Sequence, residues 1–187
     1  MIANPAIPAY RYDPYSRQLI TETYDQLGMR QARRSAVEKA MHARSFGLIL
    51  GTLGRQGNPA ILKHLEELLT GKQLTYTVLL LSEVTPPKLQ QIVGIEVWIQ
   101  IACPRLSIDW GEGFTMPVLT PYEAEVALGG VLPWWEEGDS HDDALRPYPM
   151  NYYEKGGGPW TSSYVKTVPR GNLPKAVLPH LRKKAST

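Results

Sequence analysis

This sequence predicts an α/β fold: three layers, with a mostly parallel sheet flanked by helices, followed by an irregular C-terminal tail. Three observations carry that expectation. Short apolar runs at 46–51, 75–81, 95–101 and 117–119 alternate with segments whose apolar residues recur at helical spacing. The runs are near-continuous in hydrophobicity, as strands of a sheet covered on both faces are. Between the first run and the next helical segment lies a polar, glycine-rich turn that ends in a helix cap, Asn58, and a helix-starting Pro59. Right-handed crossovers between the strands are expected.

Taken in order, residues 1–21 mix Pro5, Pro8 and Pro14 with Tyr10, Tyr12 and Tyr15. That mixture favours an extended or turning segment, read as the end of a missing preceding domain or a linker. Over 22–45, Tyr24, Leu27, Ala32, Ala36, Val37, Ala40 and Met41 predict a long helix. Arg30, Arg33, Arg34, Glu38, Lys39 and Arg44 are assigned to its wet side. The strand at 46–51 leads through the glycine-rich turn into a helix with Ile61, Leu62, Leu65, Leu68 and Leu69 on its apolar side. A second strand at 75–81 turns at 82–87 into a short helix around 88–92. A third, 95–101, ends at Ala102-Cys103-Pro104-Arg105. After the fourth, Thr120, Pro121 and Glu123 supply a cap, a first helical residue and an acid at the third helical position. The stretch 22–132 is thus expected to be one Rossmann-like domain. From 133 to 187 the periodicity fades into an aromatic, Pro- and Gly-rich tail that Tyr148, Tyr152, Tyr153 and Trp160 are expected to anchor.

Composition narrows the function classes. At 187 residues, 43% hydrophobic and 20% charged, the chain suits one domain plus a tail. Its net charge of +2, from 20 Lys and Arg against 18 Asp and Glu, is too balanced to announce a nucleic-acid partner. No apolar run is long enough to predict a membrane span. The opening residues lack the basic start and apolar core of a signal peptide, so a reducing, cytoplasmic setting is expected.

Cys103 is the only cysteine. It stands where a strand would end, at the edge of the sheet that faces a ligand crevice. Its value lies in burial, reactivity or a metal site completed by other protein parts. The loop Gly51-Thr52-Leu53-Gly54-Arg55-Gln56-Gly57 fits neither the dinucleotide fingerprint nor the P-loop. Backbone donors, the following helix N-terminus and Arg55 could still cradle an anion; the alternative is glycines that only make room for a turn. Glu83 falls at the same edge, as a ligand group or a solvated acid, and Asp109 could pair with Arg105, cap a turn or touch ligand. A thiol hydrolase would need a base at Cys103. Of His42, His64, His141 and His180, none is predicted at that edge, and His42 and His64 read as solvent-facing. One cysteine and four dispersed histidines offer no zinc spacing.

The run Trp98-Ile99-Gln100-Ile101-Ala102-Cys103-Pro104-Arg105-Leu106-Ser107-Ile108-Asp109-Trp110-Gly111 closely resembles a signature of the diphthamide synthesis enzymes, with supporting segments at 10–16, 47–57, 119–124 and 148–153. The resemblance covers about residues 1–155. It implies three related α/β domains, each giving one cysteine to a [4Fe-4S] cluster, with Cys103 matching the third-domain ligand and the other two cysteines absent from this chain. On that pattern the chain is the end of the middle domain plus the third domain. It would be a fragment or shortened form, or a partner chain whose missing ligands lie elsewhere. Three thiolates would leave one iron open to S-adenosylmethionine. The family's activity, transfer of a 3-amino-3-carboxypropyl radical to a histidine of translation elongation factor 2, would follow. Gly51, Thr52, Gly54, Arg55, Gln56 and Gly57 become candidates for positioning that cofactor. The partners implied are diphthamide synthase subunit 2, elongation factor 2 as protein substrate and an electron-donating iron protein, with no nucleic acid or membrane. The alternative is a truncated, non-catalytic interaction module retaining only the third domain.

Overall fold

The computed structural model describes residues 1, 4, 7–54, 56–136 and 148–165. Ahead of the main sheet, β1 (Ala9–Asp13) and β2 (Gln18–Glu22) pair antiparallel, with Tyr12 opposite Leu19. Their turn is set by Asp13, whose carboxylate accepts from the Tyr15 amide at 2.9 Å and the Ser16 hydroxyl at 2.7 Å. The segment expected only to extend or turn is a hairpin.

Helix α1 (Gln26–Met41) is shorter than the periodicity suggested, because the hairpin takes residues up to Glu22 and Asp25 caps the helix, accepting from the Gly28 amide at 2.8 Å. Its buried stripe is Met29, Arg33, Val37 and Ala40. Arg33 therefore belongs to the core and not to the wet side, whereas Leu27 and Met41, expected on the apolar side, are exposed.

Strands β3 (Ser45–Gly51), β4 (Thr75–Leu81), β5 (Val97–Ile101) and β6 (Val118–Leu119) form a four-stranded parallel sheet in the order β4-β3-β5-β6. The fold is α/β. Helix α2 (Pro59–Gly71) begins as its sequence dictates, Asn58 accepting from the Ala60 amide at 2.8 Å, and it buries Ile61, Leu65 and Leu69. With α1 and α5 (Pro121–Ala127) it packs into the core that holds Phe46, Leu48, Val97, Ile99 and Leu119. Ile49, Trp98 and Val118 form a second cluster on the opposite face with Leu89 of the short α3 (Pro86–Gln90), with Phe114 packed against it. There the Trp98 ring fills the space beside Gly47, where a Cβ would lie 2.1 Å from the indole. Between β5 and β6 the chain forms α4 (Arg105–Ile108) and a 3-10 turn, Gly111–Gly113.

One polar network crosses this apolar core. Arg33, 3% exposed, holds Glu123, 0% exposed, in a fork: Nε donates to Oε1 and Nη2 to Oε2, both at 2.7 Å. The same guanidinium donates to the Ser107 and Val118 carbonyls, each at 2.8 Å. Glu123 meanwhile accepts from the Thr120 amide at 2.7 Å, and the Glu123 amide donates back to the Thr120 hydroxyl at 3.2 Å, completing the expected cap as a capping box. Burial works against the Arg33 charge, but Glu123 outweighs it and keeps the guanidinium firmly protonated. The Tyr148 hydroxyl donates to Glu123 at 2.9 Å and meets the Tyr152 hydroxyl at 2.7 Å. Burial, then the Glu123 charge, raises both phenols well above their usual range.

The described tail residues have no helix or strand. Tyr148 and Tyr152 are buried and Trp160 packs edge-on against Tyr122 at 5.3 Å, as anchors should, but Tyr153 is exposed. The basic stretch after 165 lies outside the described residues. No described helix is long and apolar enough to cross a membrane.

Glu123→Gln leaves the Arg33 charge buried without its counter-ion. It should lower unfolding stability by about 3–5 kcal/mol in urea titrations, whereas a loss under about 1 kcal/mol would mark the pair as no stronger than a surface one.

Candidate functional site

The strand order fixes where a ligand crevice opens. The chain leaving β3 turns toward β4 and the chain leaving β5 turns toward β6, so the carboxyl ends of these two adjacent strands diverge. The loop after β3 is the glycine-rich stretch, and the loop after β5 carries Cys103. The two loops predicted to share an edge do share it.

They also touch. A Cβ on Gly51 would lie 2.7 Å from the Ala102 methyl, and one on Gly57 would lie 2.1 Å from the Gly51 carbonyl oxygen. Neither position has room for a side chain: Gly51 packs against the Ala102 methyl and Gly57 against the Gly51 backbone. Gly54 adopts a left-handed φ of 71°, and Thr52 extends the sheet ladder through its amide to the Leu81 carbonyl at 2.9 Å. Thr52 and Gly54 face solvent, and Gln56 lines a small hollow with Ala102, Pro104 and Tyr152. Arg55 lies outside the described residues. At the end of the loop the Asn58 amide donates to the Ser162 and Tyr164 carbonyls, at 3.0 and 2.9 Å, tying the tail to the same edge.

Cys103 is a free, partly exposed thiol. It lines a cleft of about 410 Å³ with Met1, Tyr24, Pro104, Arg105, Ile108, Met150, Tyr152 and Tyr153. The lining is mostly apolar, and its one strong cation is already engaged: Arg105 pairs with Asp109, which also accepts from the Tyr24 hydroxyl at 3.4 Å. Beneath the turn, Gln100 Nε2 donates to the Cys103 carbonyl at 3.0 Å and to the Ser107 hydroxyl at 3.2 Å. Burial, then the nearby Cys103, pushes the Tyr153 phenol up.

Other sequence candidates do not line this cleft. Glu83 is an exposed acid paired with Lys88 at 3.2 Å. His42 is exposed, as expected. His64, read as solvent-facing, is partly buried: its Nε2 meets Glu125 at 2.6 Å, and its ring lies edge-on to Tyr164. Burial, opposed by His64, raises the Glu125 carboxyl. Neither histidine lines the Cys103 cleft, and His141 and His180 lie outside the described residues. Among the described residues no three His, Cys, Asp or Glu gather to hold a metal. The sequence reading missed Gln100, Arg33, Met150 and Tyr24 as neighbours of this turn; for Gln100 a signal existed, a lone amide inside an apolar strand.

Residues 1–140 match the family model described as "Putative diphthamide synthesis protein". The chain belongs to the diphthamide synthesis family. It is 54% identical over 162 residues to the 2-(3-amino-3-carboxypropyl)histidine synthase subunit 1 of Dictyostelium discoideum, which covers 87% of this chain and 32% of the relative. The human protein of that name is 52% identical over 165 residues, covering 88% of this chain and 35% of its own length. The chain thus spans about a third of the length of the curated relatives it matches. Among solved structures, Dph2 from Pyrococcus horikoshii with a 4Fe-4S cluster aligns at a TM-score of 0.54 and 28% identity, covering 67% of this chain and 35% of that one. A second structure of that protein aligns at 0.56 and 28% identity, covering 68% and 36%.

In this family member the glycine loop folds back so that Gly57 packs on the Gly51 carbonyl, which gives a stability test. Gly57→Ala should cost about 1–3 kcal/mol in urea unfolding, the usual price of overpacking. Gly71→Ala, where a Cβ meets nothing within 4 Å, should be neutral or stabilising.

Proposed function

We propose that this chain is part of a [4Fe-4S] enzyme that transfers a 3-amino-3-carboxypropyl group from S-adenosylmethionine to a histidine of translation elongation factor 2, the first step of diphthamide biosynthesis. The observation that carries the reading is Cys103 itself, a partly exposed thiol opening on an apolar cleft at the switch point of the sheet. Support comes from relatives named as the synthase subunit and from a fold neighbour described with a 4Fe-4S cluster.

The donor set fits one corner of such a cluster. A thiolate is the ligand that iron–sulfur clusters take, and apolar walls with few competing charges suit a cofactor whose potential depends on solvent exposure. With one cysteine in the whole chain, two further thiolates come from outside it. A bound cluster, held at one corner by Cys103, would supply the electron for reductive cleavage of the sulfonium. This chain's residues do the rest by placement. Pro104 directs the chain away after the ligand, Gln56 lines the hollow beside that turn, and the rings of Tyr24, Tyr152 and Tyr153 wall the cleft; Gly51, Thr52, Gly54, Arg55, Gln56 and Gly57 are assigned in this reading to positioning the cofactor. In this reading residues 22–132 are the third domain of the enzyme, residues 1–21 end the preceding domain or form a linker, and the described tail residues 148–165 pack on the third. The partners are synthase subunit 2, elongation factor 2 and an electron-donating iron protein, in the cytoplasm.

A second reading has one observation in its favour: among the described residues no three His, Cys, Asp or Glu gather to hold a metal, at Cys103 or elsewhere. On that reading it is a non-catalytic interaction module built on the same sheet.

Anaerobic iron and sulfide analysis separates them. In an assembly that supplies the other cysteines, Cys103→Ala should lose most of the cluster, and unchanged iron, sulfide and cofactor cleavage would sink the assignment. The 187-residue chain alone should hold little cluster, since one thiolate leaves the remaining irons uncovered. A stable stoichiometric cluster in that monomer would contradict the shared-ligand reading.

A further inference from the structure

Gln100 is fully buried in a strand otherwise made of Val97, Trp98, Ile99 and Ile101. A carbonyl oxygen only accepts, so the bond to the Cys103 carbonyl at 3.0 Å fixes which end of the amide faces the turn. That orientation leaves Gln100 Oε1 buried with no hydrogen-bond partner among the described residues. An aliphatic side chain would fill the strand without that cost. What the amide gains is a grip on the Cys103 turn at two points, the Cys103 carbonyl and the Ser107 hydroxyl, while Arg33 holds the Ser107 carbonyl at 2.8 Å.

We infer that Gln100 is a positioning residue for Cys103: its amide clamps the Cys103–Ser107 turn from inside the sheet and so fixes the direction in which the thiol enters the cleft. The inference rests on the reading of Cys103 as a cluster ligand for its purpose, but the clamp can be measured without a cluster. Groups behind a metal ligand set its orientation and tune the metal, and they are commonly hydrogen-bonded to the ligand's own segment.

The test has two arms. In the 187-residue chain, Gln100→Met keeps the length and apolar packing and deletes the donor. Alkylation of Cys103 by iodoacetamide at fixed pH should then accelerate about fivefold, the change that one net hydrogen bond brings, with thermal unfolding checking that the variant is folded at the assay temperature. Ser107→Ala removes the other partner but leaves the Cys103 clamp, and its rate should stay near that of the parent. In the assembled synthase, Gln100→Met should change the electron paramagnetic resonance spectrum of the reduced cluster, a signature that general loss of stability does not produce. Parental alkylation rate and parental spectrum together would overturn the inference. If Cys103→Ala retains its cluster, the ligand reading falls, and the alkylation arm still decides whether the clamp exists. Should Gln100→Met fail to fold, Gln100→Asn, which withdraws the same amide by one methylene, is expected to give the same changes.

Discussion

The Arg33–Glu123 pair is the contact on which the rest of this fold converges. Arg33 comes from α1 and Glu123 from α5; the same guanidinium ties down carbonyls at the end of the Cys103 segment and in β6. Glu123 in turn closes the cap of its own helix and takes a hydroxyl from Tyr148 in the tail. Five elements drawn from four separate stretches of sequence are thus keyed to one charge pair. The pair is stable only because nearly every donor and acceptor around it is used, since two ions taken out of water gain little from each other unless their remaining hydrogen bonds are also made.

This arrangement explains which parts of the molecule were legible in the sequence. The four strands, the Asn58 and Thr120 caps and the junction at Cys103 were readable because they are local: apolar runs, a proline after a capping side chain, and a polar turn each report a few neighbouring residues. Arg33 was misread for the opposite reason. Within its own helix it looks like one more cation on a basic surface, and its partner lies 90 residues away. His64 was misread in the same way, since Glu125 and Tyr164 reach it only after folding. The hairpin at 9–22 was hidden by three prolines, and its register depends on an Asp13 turn that composition does not reveal.

The candidate site divides along the same line. That the glycine loop and Cys103 would meet follows from strand order, which alternation of elements already constrains. The walls of the cleft do not follow. Met1, Tyr24, Met150 and Tyr152 arrive from both ends of the chain, and no periodicity links them to residue 103. What folds here is a scaffold that presents one thiol at a prepared edge, in a chain that belongs to the diphthamide synthesis family and spans about a third of the length of its curated relatives.

The contact between Gly51 and Ala102 has a mechanical side. With no side chain on one residue and a single methyl on the other, there is no soft rotamer between the two loops to absorb a displacement. A displacement of the backbone at Gly51 would therefore press directly on the residue immediately before the thiol, and a shift of the thiol's turn would press back on Gly51.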